Sequence, residues 1–443
     1  MRQLWSESHK RRLWRQMWLA LAEVQAGFGL IGEEQVADLR AHVDQVNIPR
    51  ALEIEAEIHH DLMAELKCFA EQAPLGGKIL HLGATSADIE DNADVLRIRQ
   101  SLDLILQSLC RTLLEFSNKI ETWAETPLMA FTHLQPAEPS TLGYRLATYT
   151  QDLFLDWEEI SRVRANLRGK GFKGAVGTSA SYAELIGKEN LEAFEKRLSK
   201  RLELPFFPVA TQVYPRKQDY LVVSALSNMG ASLYRFAQDL RIMQSPLVGE
   251  WSEPFGRKQV GSSAMPFKRN PINAEKIDSL ARLLAQYPRL AWDNAANSML
   301  ERTLDDSANR RSFLPETFLV ADEILDATHK ILTGLEIDLD AIQRNFIRYA
   351  PFAAVEPLLM VVCKKGADRQ AIHERMRQHS MKAWNSIRSG EPNLLIDDIS
   401  QDSEILGYLP ETEIRRLMDA NQHLGDATQR ALAFARSIRD KLG

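Results

Sequence analysis

Apolar residues recur at spacings of three and four along most of the chain, the pattern of amphipathic α-helices. Three segments of this kind open the sequence, at residues 13–28, 36–46 and 52–73, and the run PLGG ends the third. Because they are short and consecutive, they predict a small helical N-terminal domain over residues 1–84.

The middle of the chain carries the same spacings over much longer segments. Residues 86–123 contain neither Pro nor Gly, and similar patterns cover residues 140–167, 218–244, 271–300 and 308–332, the last despite Pro315. Five long helices with continuous apolar seams are typical of a helical bundle. A single bundle would leave much of their length uncovered, so we expect the chain to self-associate. The predicted central domain spans residues 85–337.

Beyond residue 337 the predicted helices are shorter, at residues 340–349, 353–364, 369–387 and 411–442, and GEP at 390–392 interrupts them. They predict a C-terminal helical domain over residues 338–443. Strand-like alternation is almost absent, with residues 202–213 as the only candidate. The predicted fold class is therefore all-α, with three helical domains around a central bundle.

The composition argues against nucleic-acid-binding, metal-binding, secreted and membrane-spanning proteins. The 443 residues are 45% hydrophobic and 26% charged, with a net charge of −6 and both signs mixed, so no basic surface for nucleic acid is expected. The three cysteines fit reduced thiols, and no Cys/His spacing suggests a metal site. Arg11, Arg12 and Arg15 interrupt the first apolar segment, which is unlike a secretion signal. No run approaches 18 apolar residues, so we expect a cytoplasmic protein without a membrane span.

Polar residues cluster at the junctions between the long segments. HLGATS at 81–86 begins the first long helix, where Thr85 or Ser86 can cap it or can receive a carboxylate together with free N–H groups. FTHLQPA at 131–137 contains His133, which is either a proton donor or a solvated loop residue. His59 and His60 lie inside a predicted helix, where neighbours diverge, so a metal site from the pair is not expected.

Two further junctions are rich in cations. GKGFKGAVGTS at 169–179 has the glycines and lysines of a phosphate cradle but lacks the ending of a nucleotide-binding loop. ERTLDDSANRR at 301–311 offers three arginines and a hydroxyl to a phosphate dianion. Alternatively, Asp305 and Asp306 neutralise these arginines in a structural network.

Residues 261–271 carry the most specific pattern. Small and hydroxyl-bearing residues are followed by Lys268, Asn270 and a proline that suits the start of a helix, which is the composition of a mobile lid over an anion or of a surface loop. The sequence GSSAMPFKRN resembles the signature loop of the fumarase/aspartase superfamily, G-S-S-x-M-P-x-K-x-N, at every fixed position.

Within that superfamily the chain resembles the adenylosuccinate lyases, in particular the animal and fungal form. The resemblance rests on THLQPA at 132–137, on HLGATS, on residues 301–311, on WRQ at 14–16, and on Gln212 with RK at 216–217. It implies three all-α domains and a homotetramer whose central helices form one bundle. Each active site would be built from three subunits, and no metal or organic cofactor would be needed.

The implied reaction is elimination of fumarate from adenylosuccinate to give AMP, and from the succinylated aminoimidazole carboxamide ribotide. By the family pattern, Ser262 is the base, His133 the acid, Lys268 a stabiliser of developing charge, Glu275 the orienter of His133, and His60 a support for the acid or the phosphate. The resemblance also implies a set of substrate-binding residues: Asp61, His81, Thr85, Ser86, Thr132, Gln212, Asn270, Arg302, Ser307 and Arg311.

One stretch departs from the family. Its Arg–Tyr pair near the N-terminus, which contacts the nucleotide phosphate, has no counterpart in MRQLWS at 1–6. Either the chain starts downstream of the pair, or other residues bind the phosphate. The alternatives are an argininosuccinate lyase or another fumarate-releasing relative and, from a different class, a non-catalytic helical scaffold.

Overall fold

The computed structural model describes all residues from 1 to 443, and its N-terminal region is helical as predicted. It contains four helices: α1 (Glu7–Ala26), α2 (Glu33–His42), α3 (Ile48–Ile58) and α4 (Asp61–Gln72). The predicted single helix over residues 52–73 is wrong. The chain turns at His59, which has φ of 54°, and the His60 ring then caps α4 by accepting from Met63 N at 3.4 Å. No Gly or Pro marks this break, so helical spacing continues across it.

Buried arginines hold the N-terminal helices together. Arg11 and Arg15 on α1 both reach Glu65 on α4, with N–O distances of 3.2 and 2.5 Å, and all three side chains are buried. Buried charges of this kind are stable only when paired. The arginines that interrupt the first apolar segment are therefore part of the core.

The long central helices are confirmed, with one exception. The helices of this region are α5 (Ser86–Thr122), α6 (Leu142–Ala165), α7 (Ala180–Ile186), α8 (Leu191–Arg201), α9 (Lys217–Gln244), α10 (Ile272–Leu284), α11 (Tyr287–Ala296) and α12 (Asp305–Thr333). The predicted helix over residues 271–300 is divided into α10 and α11, and Pro288 occupies the first turn of α11, where proline is tolerated. Pro315 lies inside α12 without ending it.

Two small sheets were not predicted. β1 (Pro127–Thr132) and β2 (Gln135–Thr141) form an antiparallel hairpin, while β3 (Trp251–Ser252) and β4 (Glu336–Ile337) pair over two residues each. The prolines of β2 argue against a strand, which concealed the hairpin. The predicted strand at residues 202–213 is wrong, because only Phe206 makes a bridge, to Gly169.

The C-terminal region is also helical. It contains α13 (Leu339–Ala353), α14 (Val355–Lys364), α15 (Arg369–Arg388), α16 (Leu395–Ser400), α17 (Ser403–Leu406), α18 (Glu411–Leu417) and α19 (Ala427–Leu442). The predicted helix over residues 411–442 is wrong, because the chain leaves the helix after Leu417 and passes Gly425 with φ of 56°. By length and composition alone, Leu339–Lys364 could span a membrane. This is weak evidence for a membrane span, because core helices of soluble proteins meet the same criterion.

The chain divides into two compact units. One comprises residues 1–109, 156–231 and 280–325, and the other comprises residues 110–155, 232–279 and 326–443. In the first unit, Ile98, Leu102, Ile105 and Leu109 form a fully buried stripe along α5. In the second, a core cluster that includes Leu358 and Ile399 joins the C-terminal helices. The all-α class is confirmed, and the division into three domains stays a prediction.

Candidate active site

In the first unit, the start of α5 brings two predicted residues together. The Ser86 Oγ lies 3.5 Å from His60 Nε2, at the edge of hydrogen-bond distance. The Thr85 hydroxyl makes no hydrogen bond, and the carboxylate of Asp88 accepts from Thr85 N at 3.1 Å. Neither hydroxyl accepts from a backbone N–H of α5, so the capping interpretation is wrong for Thr85 and Ser86, and the Thr85 hydroxyl has no partner within the protein.

Asp61 and His81 lie near the same helix start. Asp61, the first residue of α4, pairs with Arg311 at 3.5 Å. The His81 Nδ1 accepts from Trp18 Nε1 at 3.0 Å, which places the ring proton on Nε2. Burial lowers the pKa of His81, so the neutral ring is favoured.

Residues 301–311 combine both of the roles considered for them. Asp306 pairs with Arg302 at 2.8 Å and with Arg216 at 2.6 Å; burial opposes ionisation, but the arginines outweigh it and hold the pKa of Asp306 below its ordinary value. Arg310 is buried, with its Nε 2.8 Å from Asp219. By contrast, Arg311 is 65% exposed, so it remains available to an anion.

Gln212 and Ser307 border the same segment. Gln212 N donates to the carbonyl of Glu301 at 3.1 Å, which places Gln212 beside the start of residues 301–311. Ser307 is half-buried on the first turn of α12, and its hydroxyl has no hydrogen-bond partner. Gln212 thus lies beside Glu301, and Ser307 follows Asp306, the partner of Arg302.

Glu90 also lies near this helix start, and the sequence does not single it out. It lies one helical turn after Ser86, and burial, followed by the charges of Asp61, Asp91 and Asp94, raises its pKa to about 8 against the opposing effect of Arg311. Glu90 is therefore mainly protonated at neutral pH. The run of acidic residues at 88–94 is a signal for this environment, although acidic residues at the start of a helix also suit its dipole.

The glycine-rich segment at 169–179 does not offer an open phosphate cradle. Lys173 N and Gly174 N donate to Asp88 Oδ1 at 3.1 and 3.2 Å, and Lys170 Nζ contacts the same oxygen. Because a carboxylate of the protein already fills the cradle, the phosphate interpretation is wrong for this segment.

In the second unit, His133 lies at the tip of the β1–β2 hairpin. His133 and Leu134 have φ of 53° and 58°, the two positive values of a type I′ turn. Neither is glycine, and such backbone strain is concentrated at functional sites. The turn exposes the imidazole, which makes no hydrogen bond, and Thr132 pairs with Gln135 across the strands just before it.

The segment at residues 261–271, here called the signature loop, is mostly exposed. Within it, Ser262 Oγ accepts from Met265 N at 3.1 Å, and Asn270 Nδ2 donates to the carbonyl of Gly261 at 3.1 Å. Lys268 is exposed and forms no ion pair. The loop borders a cavity of about 1040 Å³ that is lined by Lys268, Asn270 and Arg241, among others.

Glu275 does not meet His133 in this chain. It is 50% exposed and lies 4.0 Å from Arg241, which pairs more closely with Asp278 at 2.6 Å. No hydrogen bond or ion pair joins His133 to Ser262 or Lys268 either. The predicted acid, base and orienting residues of the second unit are therefore not assembled by contacts within one unit.

Comparison with protein families gives two matches. A family profile described as "Lyase" matches residues 3–283, and one described as "Adenylosuccinate lyase C-terminus" matches residues 351–432.

Several curated proteins named adenylosuccinate lyase are similar along nearly the whole chain. The protein from Schistosoma mansoni is 37% identical over 97% of this chain and 90% of its own length. The protein from Saccharomyces cerevisiae is 35% identical over 95% and 88%, and that from Pyrococcus horikoshii is 34% identical over 97% and 93%.

Solved structures share the fold. A fumarate lyase from Mesorhizobium sp. BNC1 superposes with a TM-score of 0.85 at 24% identity, covering 99% of this chain and 96% of its own. A 3-carboxy-cis,cis-muconate lactonizing enzyme from Pseudomonas putida gives 0.86 at 24% identity, with 99% and 97% covered. At this level of identity the likeness concerns the fold alone.

Proposed function

The chain belongs to the adenylosuccinate lyase family, and from that premise we propose that it eliminates fumarate from adenylosuccinate to give AMP. It is a carbon–nitrogen lyase of purine nucleotide biosynthesis. The observation that carries the proposal is the sequence identity of 37% over 97% of the chain to a curated adenylosuccinate lyase. Nothing in the comparisons supports an argininosuccinate lyase or a non-catalytic scaffold. We extend the proposal to the succinylated aminoimidazole carboxamide ribotide, in which the same type of bond would be broken.

The chemistry needs one base and one acid. A proton leaves the carbon next to a carboxylate of the succinyl group, the C–H electron pair forms the C=C bond of fumarate, and the C–N pair remains on the leaving nitrogen. We assign the base to Ser262 and the acid that protonates the nitrogen to His133. The exposure of His133 and the partial exposure of Ser262 support this assignment, because each side chain can reach a substrate that is not yet enclosed.

A serine hydroxyl becomes a base only where its alkoxide is stabilised. Closure of the signature loop would remove water and bring Ser262 into a positive environment. The exposed Lys268, which has no carboxylate partner, and Asn270 would then stabilise the charge that develops on the substrate carboxylate. Glu275 is proposed to orient His133 from a neighbouring chain, since it does not do so within one chain.

The proposed binding residues fall into sets for the succinyl carboxylates and for the phosphate of the substrate. The hydroxyls of Thr85 and Ser86, with Gln212, are proposed for the succinyl carboxylates. Arg302, Ser307 and the exposed Arg311 are proposed for the phosphate. His60 would support the acid or the phosphate, and the remaining substrate contacts are assigned to Asp61, His81 and Thr132.

We propose a cytoplasmic homotetramer with active sites shared between subunits, binding a nucleotide substrate and neither nucleic acid nor membrane. Exposed large apolar side chains on the central helices α6 and α9–α11 support self-association: Leu155, Leu221, Leu283, Leu290 and Trp292. Light scattering tests the mass. Mixing inactive Ser262→Ala and His133→Ala proteins tests the sharing, because mixed tetramers should regain part of the activity if the base and acid of one site come from different chains.

The activity is tested by following fumarate release in the ultraviolet. We expect release from adenylosuccinate and none from argininosuccinate at the same concentration. Release from argininosuccinate alone would place the chain in the other branch of the superfamily, and release from neither would contradict the proposed function.

A further inference from the structure

Asp88 is the most heavily hydrogen-bonded carboxylate near the proposed site, and the mechanism above gives it no role. It is fully buried on the first turn of α5. Three parts of the first unit converge on it: the segment at 169–179, α7, and the residues just before α5.

The contacts of Asp88 come from five groups. The Lys170 Nζ and the backbone N–H groups of Lys173 and Gly174 donate from the glycine-rich segment. The Tyr182 hydroxyl donates from α7 at 3.3 Å. The fifth donor is Thr85 N, at 3.1 Å.

The fifth contact links this network to the ligand end of the site. A carboxylate three residues into a helix that accepts from the N-cap amide forms half of a capping box. The other half is missing, because Asp88 N donates to the Thr85 carbonyl at 2.9 Å and not to the Thr85 hydroxyl. Asp88 thus fixes the backbone of Thr85 while leaving its side chain unused.

We propose that Asp88 is a positioning residue for the succinyl end of the substrate, which holds Thr85 so that its hydroxyl and the adjacent N–H groups face the carboxylate. This inference rests on the proposed function and adds to it that Asp88 positions Thr85, whereas Thr85 contacts the substrate. Lys170 neutralises Asp88, so the buried carboxylate does not repel a bound dicarboxylate.

The next buried carboxylate on α5 serves as a matched control. Asp91 accepts from Arg216 at 3.1 and 3.2 Å, Arg216 pairs with Asp306, and Asp306 pairs with Arg302. This second network ends at Arg302, which is proposed to bind phosphate. Disrupting the network should therefore weaken the binding of AMP.

The experiment compares Asp88→Asn and Asp91→Asn by product inhibition in the same assay. For Asp88→Asn we expect the inhibition constant of fumarate to rise about tenfold or more, the worth of a hydrogen bond to a charged group, while that of AMP changes less than about twofold. For Asp91→Asn we expect the reverse: the inhibition constant of AMP should rise about tenfold or more, while that of fumarate changes less than about twofold. Equal changes for both products in Asp88→Asn, or no change in either, would refute the positioning role.

A milder variant covers the case in which Asp88→Asn does not fold. Tyr182→Phe keeps the buried ring and removes one donor to Asp88, and it should weaken fumarate inhibition about two- to fivefold with AMP unaffected. If Tyr182→Phe weakens both products equally or neither, the inference is wrong. If the wild-type protein releases no fumarate from adenylosuccinate, the proposed function fails instead, and calorimetric titration with fumarate alone still tests the role of Asp88.

Discussion

At the start of α5, a single buried carboxylate accepts hydrogen bonds from five groups and fixes the backbone that carries Thr85. In the signature loop, by contrast, the Ser262 hydroxyl accepts only from amides of its own loop, and residues 263–269 are exposed. Both regions carry hydroxyl groups proposed to act on the same dicarboxylate. The backbone of the first region is fixed by contacts within the protein, whereas the second region is proposed to act only after the loop closes.

The difference separates two sources of catalytic power. Donors that receive an existing charge work best when they are preorganised, because they then need no reorganisation. A base that must lose its own proton benefits from closure, which excludes water only after the substrate has entered. Substitutions at the start of α5 should therefore change stability or binding, whereas substitutions in the loop should change turnover.

The largest expected effect is that of Ser262→Ala. Removing the proposed base should lower kcat by about 10³-fold or more, while the melting temperature stays unchanged because the hydroxyl bonds only within its own, mostly exposed loop. Fumarate release and thermal unfolding measure the two quantities. Ser263→Ala is the control, and a greater loss there than at Ser262 would show that the neighbouring serine is the base.

The second effect concerns stability and pH at Glu90. Its pKa is raised from an ordinary value of 4.5 to about 8. Below pH 4.5 the carboxyl is protonated in both the folded and the unfolded chain, so it does not change the free energy of unfolding. Between these values only the unfolded chain ionises, and stability falls as pH rises. Glu90→Gln should therefore stabilise the protein by roughly 4 kcal/mol at pH 8 and by almost nothing at pH 4, as measured by urea unfolding. A constant difference across this range would contradict the prediction.

The third effect is the response of the signature loop to Gly261→Ala. A Cβ there would lie 2.1 Å from the carbonyl oxygen of Lys268, so the loop must rearrange and move Lys268. We expect kcat to fall about 10²-fold without loss of thermal stability. Gly256→Ala, whose Cβ would meet only Gln259 at 3.7 Å, should leave both quantities unchanged. Equal activity of the two variants would show that the path of the loop is not important.

The smallest effect is that of Gly169→Ala in the glycine-rich segment at 169–179, which contacts Asp88. Its Cβ would approach Asn92 Oδ1 to 2.4 Å and Leu204 to 2.8 Å, and the packed surroundings leave it no room. Overpacking of this kind costs about 1–3 kcal/mol, which urea unfolding would detect, and kcat should change little. If Gly169→Ala changed turnover and left stability intact, the comparison between the two regions would be reversed.

The sequence indicates the long helices because their apolar positions repeat over many turns, and this signal does not depend on distant contacts. It fails at His59, where a left-handed residue other than glycine interrupts the helix, and at β2, where prolines conceal the pairing. The helix break before α19 does carry a signal, Gly425, but the apolar spacing continues across it and hides the interruption.

The signature loop can be found because its residues are contiguous in a specific pattern. The role of Asp88 cannot be found in this way, because Lys170 and Tyr182 are 82 and 94 residues away in the chain. The acidity of Glu90 likewise depends on Asp61, which another helix supplies. Properties set by such distant neighbours require the folded structure.

The Phe267 side chain is 83% exposed in the signature loop, close to Lys268. If the proposed closure buries this ring, it gains about 1.5–3 kcal/mol, which corresponds to a shift of roughly ten- to a hundredfold in the ratio of closed to open loops. Because this gain is mainly entropic near room temperature, the closed fraction should increase on warming. Burial of the Phe267 ring would thus make the exclusion of water from Ser262, the proposed base, depend on temperature.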